Sequence, residues 1–293
     1  MSRTILVTGS LGYLGSRLTH YLSDAGFRCR GYDTGFFRDC TLYPAQDPDT
    51  TMKDVRDLSE RDLEGVDAVV HLAGISNDPF GSLKPEEIYD PTRAFSGHLA
   101  MHCKQMGIRF IFASSCSVYG IGGDRLVTEQ SRTFPQTPYS RNKLQIEQDL
   151  VSLAAQDFSP IILRFATIFG ISPRIRFDIV INMFVGMALT TGRILLNSNG
   201  QAWRPHVHIE DACEAILRCL TLQVPAGQPL VLNVGDTQQN LRIVDVAELV
   251  RRCVPRCQVE FLHGDGRPTT PKALQELAQD RKIQDGEIGR AHV

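Results

Sequence analysis

Thr4-Ile5-Leu6-Val7-Thr8-Gly9-Ser10-Leu11-Gly12-Tyr13-Leu14-Gly15 is the stretch on which the fold of this chain turns. Its first five residues are β-branched or apolar and end at a glycine, the pattern of a short buried strand. Downstream, Leu14, Leu18, Tyr21 and Leu22 recur at helical spacing, and Gly26 closes the run as a left-handed cap would. Three glycines therefore stand where a strand becomes a helix. Gly9 permits the tight turn, Gly12 lets the backbone approach a pyrophosphate, and Gly15 lets the helix pack closely on the strand. The first helical turn, with Tyr13 and Leu14 in it, then offers unpaired N–H groups and a partial positive charge to phosphate.

Outward from this motif the same alternation repeats. Strands are expected at 29–33, 67–72, 109–113 and 160–165, with helices at 86–106 and 140–155. Strand and helix in regular succession imply parallel pairing with right-handed crossovers. The fold expected is α/β, a doubly wound parallel sheet (Rossmann) with a smaller C-terminal substrate lobe. Asp33 closes the second strand, where a carboxylate accepts hydrogen bonds from a ribose 2′-OH and repels a 2′-phosphate. NAD is thus favoured over NADP, with Arg30 and Arg38 as nearby charges that could speak otherwise. After Gly170 the rhythm loosens into helices at 177–191, 209–220 and 243–252 and strands at 194–196, 206–208 and 230–234. Residues 1–170 are read as the cofactor domain, with parts of 205–250 returning to it, and 171–286 as the substrate lobe.

Composition narrows the function. A chain of 293 residues exceeds what one core usually organises, so two lobes are expected. Lys and Arg total 31 against 33 Asp and Glu, and a net charge of −2 gives no drive toward nucleic acid or an anionic membrane. No apolar run reaches the roughly 18 residues of a membrane span. The residues before Gly9 are too few for a secretory core, which points to the cytoplasm. Eight cysteines without a C-x-x-C pair read as reduced and core-filling. No metal site is expected, since His98 and His102 lack the Glu of an H-E-x-x-H helix and Pro255 separates Cys253 from Cys257.

Several motifs in sequence order carry a resemblance. Gly9, Gly12, Gly15 and Asp33 are followed by Asp54-Val55, by His71-Leu72-Ala73-Gly74 and by Ser114-Ser115-Cys116-Ser117-Val118-Tyr119-Gly120. Tyr139-x-x-x-Lys143 completes the set. The chain resembles the extended short-chain dehydrogenase/reductases, in their NAD-dependent nucleotide-sugar epimerase/dehydratase branch, from Ile5 to about Gly266. The resemblance implies NAD as cofactor, a nucleotide-diphosphate sugar as substrate and a homodimer. It makes Ser115, Tyr139 and Lys143 catalytic. Asp54 and Val55 would contact adenine, and Leu72, Ala73 and Gly74 would pass beneath the cofactor. Ser117, Asn182, Arg204 and Arg267 would face substrate, the last three at its diphosphate.

The chemistry of the pair is physically sound. One helix presents Tyr139 and Lys143 on the same face. A phenol of ordinary pKa, about 10, is a poor base at neutrality, and a neighbouring ammonium favours its ionised form. The branch's 4,6-dehydratases carry Asp-Glu where this chain has Cys116-Ser117, and some 3,5-epimerases carry a cysteine one position away. No group for C5 chemistry is evident, so oxidation and reduction at one carbinol is expected, by a 4-epimerase or else a 4-ketoreductase or dehydrogenase. A non-catalytic NAD-sensing protein is a third reading, against which the intact Ser115, Tyr139 and Lys143 argue. Thr92 and Thr167 depart from the branch, where many relatives have asparagine. Past Arg267 the resemblance stops. The substrate lobe is read as truncated, and 287–293 as a non-native tail resembling a translated DNA adapter.

Overall fold

A computed structural model describes residues 2–44, 48–76, 84–120, 126–262 and 268–269. The opening motif forms β1 (Thr4–Thr8) and α1 (Tyr13–Asp24). There follow β2 (Arg28–Asp33), β3 (Asp49–Met52), β4 (Ala68–His71), α2 (Pro85–Met106), β5 (Arg109–Ser115), α3 (Pro138–Leu153) and β6 (Ile161–Phe165). The later part comprises β7 (Thr167–Phe169), α4 (Val180–Thr191), β8 (Arg193–Leu196), β9 (Trp203–His208), α5 (Ile209–Thr221) and β10 (Leu230–Val234). It ends with β11 (Asn240–Arg242), α6 (Ile243–Cys253), β12 (Gln258–Leu262) and β13 (Pro268–Thr269).

Seven strands form one sheet in the order β10-β6-β5-β4-β1-β2-β3, every pair parallel. Because side chains alternate across a strand, β1 feeds both faces. Ile5 and Val7 join Leu18 and Leu22 of α1 and Ile209 and Ile216 of α5 in one core. Leu6 joins Phe110 and Phe112 of β5 and Ile146 and Leu150 of α3 in the other. Helices thus cover both faces, as an all-parallel sheet requires. Arg17 of α1 donates through Nε and Nη2 to Glu210 of α5 at 2.5 and 2.8 Å, fastening one helical layer to itself.

A third core lies outside that sheet. Phe184 and Ala188 of α4, Ile194 and Leu196 of β8, Val246 and Val250 of α6 and Phe261 of β12 bury one another. The chain reaches this lobe after β7 but returns from it, since β10 pairs with β6 and α5 packs on α1. Helix α4 begins at Val180, three residues later than its apolar spacing suggests, because 177–179 form an entry segment of non-helical backbone. Among the described residues no helix is long and apolar enough to cross a membrane.

β1 has β4 on one side and β2 on the other, so successive connections leave in opposite directions at its C-terminal end. A doubly wound sheet opens its ligand crevice at such a point.

Candidate active site

The glycine turn is built as the motif requires. Gly9 has φ +73°, and a Cβ there would lie 2.9 Å from Ala73 N, so the 72–74 loop crosses directly against it. Gly15 is tighter still, with a Cβ falling 2.1 Å from Gly9 O. Gly12 is the N-cap of α1 and supplies no side-chain acceptor, and the first turn carries no acid. Its N–H groups, those of Tyr13 and Leu14 among them, are therefore left for an external anion. Asp33 is oriented by two backbone donors, Leu11 N to Oδ2 at 3.0 Å and Gly35 N to Oδ1 at 2.9 Å. Arg30 is committed elsewhere, donating to the carbonyls of Asp62 and Glu64 at 3.0 and 3.1 Å. Arg38 lines a cleft of about 170 Å³ with Ser10, Leu11 and Arg174. A closely approachable turn, uncapped helical N–H groups and a fixed carboxylate fit NAD.

The 72–74 loop is held by a chain of hydrogen bonds that sequence reading missed. Ala73 N–H donates to Thr8 Oγ1 at 3.3 Å, and Thr8 lies 2.7 Å from His71 Nδ1. His71 Nε2 lies 3.0 Å from Ser96 Oγ, whose own proton goes to Thr92 O at 2.6 Å. With Ser96 and Thr8 each using its proton onward, His71 carries its hydrogen on Nε2 and accepts at Nδ1. Burial, helped by the Lys143 charge, pushes His71 down to about 3, consistent with that neutral tautomer. The buried Thr92 thus anchors the far end of the chain.

At the end of β5 the catalytic candidates converge. Ser115 caps a short 3₁₀ turn, its Oγ accepting from Ser117 N at 3.2 Å. Helix α3 starts at Pro138 behind a Thr137–Ser140 capping box, which sets Tyr139 in the first turn and Lys143 one turn on. Lys143 Nζ donates to Ala113 O at 2.8 Å and stands 4.7 Å over the Phe112 ring and 5.9 Å from the Tyr139 ring centroid. Burial pulls Lys143 down to about 8, against the opposing field of Glu147. Burial also pushes the Cys116 thiol up to about 11 although Arg204 lowers it, so that sulfur is protonated near neutrality. The same interaction brings Arg204 of β9 beside the strand end, where burial depresses its guanidinium. Arg204 donates to Trp203 O at 2.8 Å and pairs with no carboxylate among the described residues. Among the described residues the buried Ser117 Oγ and His206 Nε2 have no hydrogen-bond partner.

Other sequence candidates are engaged differently. Asp54 caps the turn at Val55–Asp57, accepting from Arg56 N, Nε and Nη2, and Arg56 holds its carboxyl below the usual range. Val55 packs, partly buried, against the core on the Leu6 face of the sheet. Asn182 has its whole amide occupied: Gly170 N donates to Oδ1 at 3.0 Å, and Nδ2 donates to Arg176 O at 3.0 Å and to Tyr13 Oη at 3.3 Å. With Tyr13 donating to Gly170 O at 2.8 Å, this links the glycine helix to the start of the second lobe. Asn182 thus ties Gly170, Arg176 and Tyr13 together where the second lobe begins. Thr167 begins β7 opposite His206. Arg267 and the 287–293 tail lie outside the described residues.

The ion pair behind the site also went unread. Arg164 donates through Nε to both carboxylate oxygens of Glu147 at 3.1 Å, and through Nη2 to Oε2 at 2.6 Å. Its signal was a single arginine within the apolar run Ile161-Ile162-Leu163-Arg164-Phe165.

Comparison with known proteins agrees with this geometry. The model of the NAD dependent epimerase/dehydratase family matches residues 5–235. A UDP-glucose 4-epimerase of Azospirillum brasilense is 30% identical, over 93% of this chain and 83% of its own. The fold is shared with a UDP-N-acetylglucosamine 4-epimerase from Methanobrevibacter ruminantium, at 22% identity and TM-score 0.78, covering 94% of this chain and 92% of the other. It is shared equally with a protein solved with UDP-glucuronic acid and NAD, at 24% identity and TM-score 0.79, covering 99% and 90%. From the glycine turn through β10, the chain belongs to the NAD-dependent epimerase/dehydratase family, as an enzyme of the extended short-chain dehydrogenase/reductase type that uses NAD.

Proposed function

We propose that the chain is a nucleotide-sugar 4-epimerase that oxidises the C4 carbinol to a ketone and reduces it again from the opposite face. The observation that carries this reading is the corner at the end of β5. Tyr139 and Lys143 share one helical face there, while among the described residues at this corner Cys116 and Ser117 stand where an eliminating acid and base would be needed. Cys116 is a half-buried thiol that desolvation pushes up to about 11, and Glu147 is held on both oxygens by Arg164.

When bound, NAD supplies a hydride acceptor and then a donor. The N–H groups following Gly9 and Gly12 would hold its diphosphate, Asp33 its adenosine ribose and Lys143 its nicotinamide ribose. Tyr139 would take the proton of the C4 hydroxyl, and with the hydride accounted for by the cofactor this balances the oxidation. Ser115 Oγ–H would donate to the reacting oxygen, and Tyr139 would return the proton to that oxygen on reduction. Residues 1–170, with α5 and β10, would form the cofactor domain. The lobe built on the third core would hold the nucleotide sugar, with Arg204 and Ser117 toward its diphosphate and sugar and Arg267 a further phosphate contact. Asn182 would shape that pocket through Gly170 and Arg176. The relatives' names make UDP-hexoses the first compounds to test.

Purified protein incubated with a panel of nucleotide sugars under isomer-resolving chromatography tests this. A 4-epimer formed without net NADH change is the expected result. Stoichiometric consumption of added NADH with release of a reduced sugar would replace it with the ketoreductase reading, and inertness toward every member would refute the proposal.

A further inference from the structure

Tyr139, Lys143 and Glu147 lie at successive four-residue steps on α3, and Lys143 and Glu147 are 7% and 3% exposed. Glu147 is gripped from two strands. Ser114 of β5 donates its hydroxyl to Oε1, and Arg164 of β6 closes on both oxygens. Arg164 is itself fixed, donating to Tyr119 Oη at 2.9 Å, which donates to Asn233 Oδ1 of β10 at 2.6 Å. Asn233 N in turn donates to Glu129 Oε1 at 2.8 Å. Two strands thus grip one carboxylate a single helical turn from Lys143, and a third, β10, braces the arginine through Tyr119.

Ionisable groups on the elements around Lys143 include His71 on β4, Arg109 on β5, Tyr89, Asp90 and Arg93 on α2, Tyr139, Arg141, Glu147 and Asp149 on α3, and Arg164 on β6. Of these, Glu147 is the one whose charge acts on Lys143. His71 is held neutral, and Arg93 is paired with Asp149 at 2.6 Å. Glu147 is the group whose charge favours the ammonium. The Arg164 guanidinium meets both oxygens of that carboxylate, a charge-assisted pairing in a dry interior.

We propose that Glu147 is a positioning residue for the catalytic pair: clamped by Ser114 and Arg164, its carboxylate is fixed in the buried interior one helical turn from Lys143 and favours the ammonium form of that side chain. Arg164 and Ser114 act through Glu147 and do not touch the reacting atoms. The consequence for catalysis rests on the reading of Tyr139 and Lys143 above. The charge state of Lys143 does not, and the two are measured separately.

The experiment is competitive labelling of the Lys143 amine with acetic anhydride across pH, read by peptide mass spectrometry on cofactor-free protein, beside pH profiles of kcat/KM. Two variants are compared with wild type, Glu147→Gln and the charge-neutral pair Glu147→Gln with Arg164→Gln. In each folded variant the Lys143 amine is expected to titrate at least about one pH unit lower, a tenfold change in its ionisation equilibrium. The alkaline limb of kcat/KM should move with it while KM changes little. Glu147→Asp, which retains the charge, should restore the wild-type titration. A folded variant in which Lys143 titrates as in wild type overturns the proposal. So does failure of both variants to fold, which would leave Glu147 a packing role alone. A shifted amine with an unmoved rate profile would instead sink the reading of Lys143 as part of the catalytic pair.

Discussion

Replacing Gly15 by alanine tests the cofactor turn where it is tightest. The new Cβ would stand 2.1 Å from Gly9 O, 2.8 Å from Ser10 Cα and 2.9 Å from Gly9 C, all backbone atoms that no rotamer change can clear. Ordinary contact begins at 3.4 Å, so either the turn or α1 must retreat by about 1.3 Å. Retreat is resisted, because Gly9 N donates to Tyr32 O at 2.8 Å and Gly12 N donates to Gly9 O at 3.1 Å. Overpacking of this kind costs about 1–3 kcal/mol of stability. A shift of about 1 Å also removes at least one N–H bond to a charged phosphate, worth about 1.5–3 kcal/mol. That corresponds to about a 10- to 150-fold rise in the Kd for NAD. Calorimetric titration of cofactor-free protein with NAD, beside thermal denaturation, measures both effects. Gly97→Ala is the control, since Gly97 sits inside α2 with nothing within 4 Å of its Cβ position. It should gain up to about 1 kcal/mol and leave NAD binding unchanged. A Gly15→Ala protein with wild-type affinity and wild-type Tm would refute the account of the turn.

Further outcomes follow from the same geometry. Tyr139→Phe should lower kcat by about 10²–10⁴-fold with NAD affinity retained, as measured by steady-state kinetics and titration. In wild type, kcat/KM should fall as pH rises through about 8, where the Lys143 ammonium is lost. His71 has a folded value near 3 against 6.5 unfolded, so the unfolded chain binds a proton that the native state refuses. The stability this confers is fully present above pH 6.5 and is lost on acidification, at about 1.4 kcal/mol per pH unit, or about 2 kcal/mol by pH 5. Urea unfolding of wild type and His71→Gln at both pH values checks this, with the variant losing less. Asn182→Ala breaks the tie among Gly170, Arg176 and Tyr13 and should cost about 1–3 kcal/mol by the same unfolding assay.

What the sequence disclosed and what it hid divide along a physical line. The glycine turn, Asp33 and the Tyr139–Lys143 face depend on residues near one another in the chain, where spacing alone sets geometry. The long apolar strands of the main sheet were legible for the same reason. β3, β7 and β11 were not, being three or four residues long and only partly buried, so that no apolar run announces them. Asn182 meeting Tyr13, 169 residues earlier, depends on how α4 returns against α1, which no local pattern encodes. Glu147 finding Arg164 likewise requires α3 to lie across β6. The helical spacing from Lys143 hinted at the acid, and the lone arginine in β6 hinted at its partner, but only the packed structure joins them. Asp54 adds a local role that the motif did not announce, its carboxylate capping the turn at Val55–Asp57.

The central claim is a hydride removed from C4 and returned to the same carbon. A UDP-hexose deuterated at C4, incubated with the enzyme and followed by nuclear magnetic resonance and mass spectrometry, tests it most directly. The account predicts the opposite C4 isomer with the deuterium still on C4, at no net cost in NAD. Deuterium lost to solvent, or an eliminated sugar in place of the isomer, would contradict it.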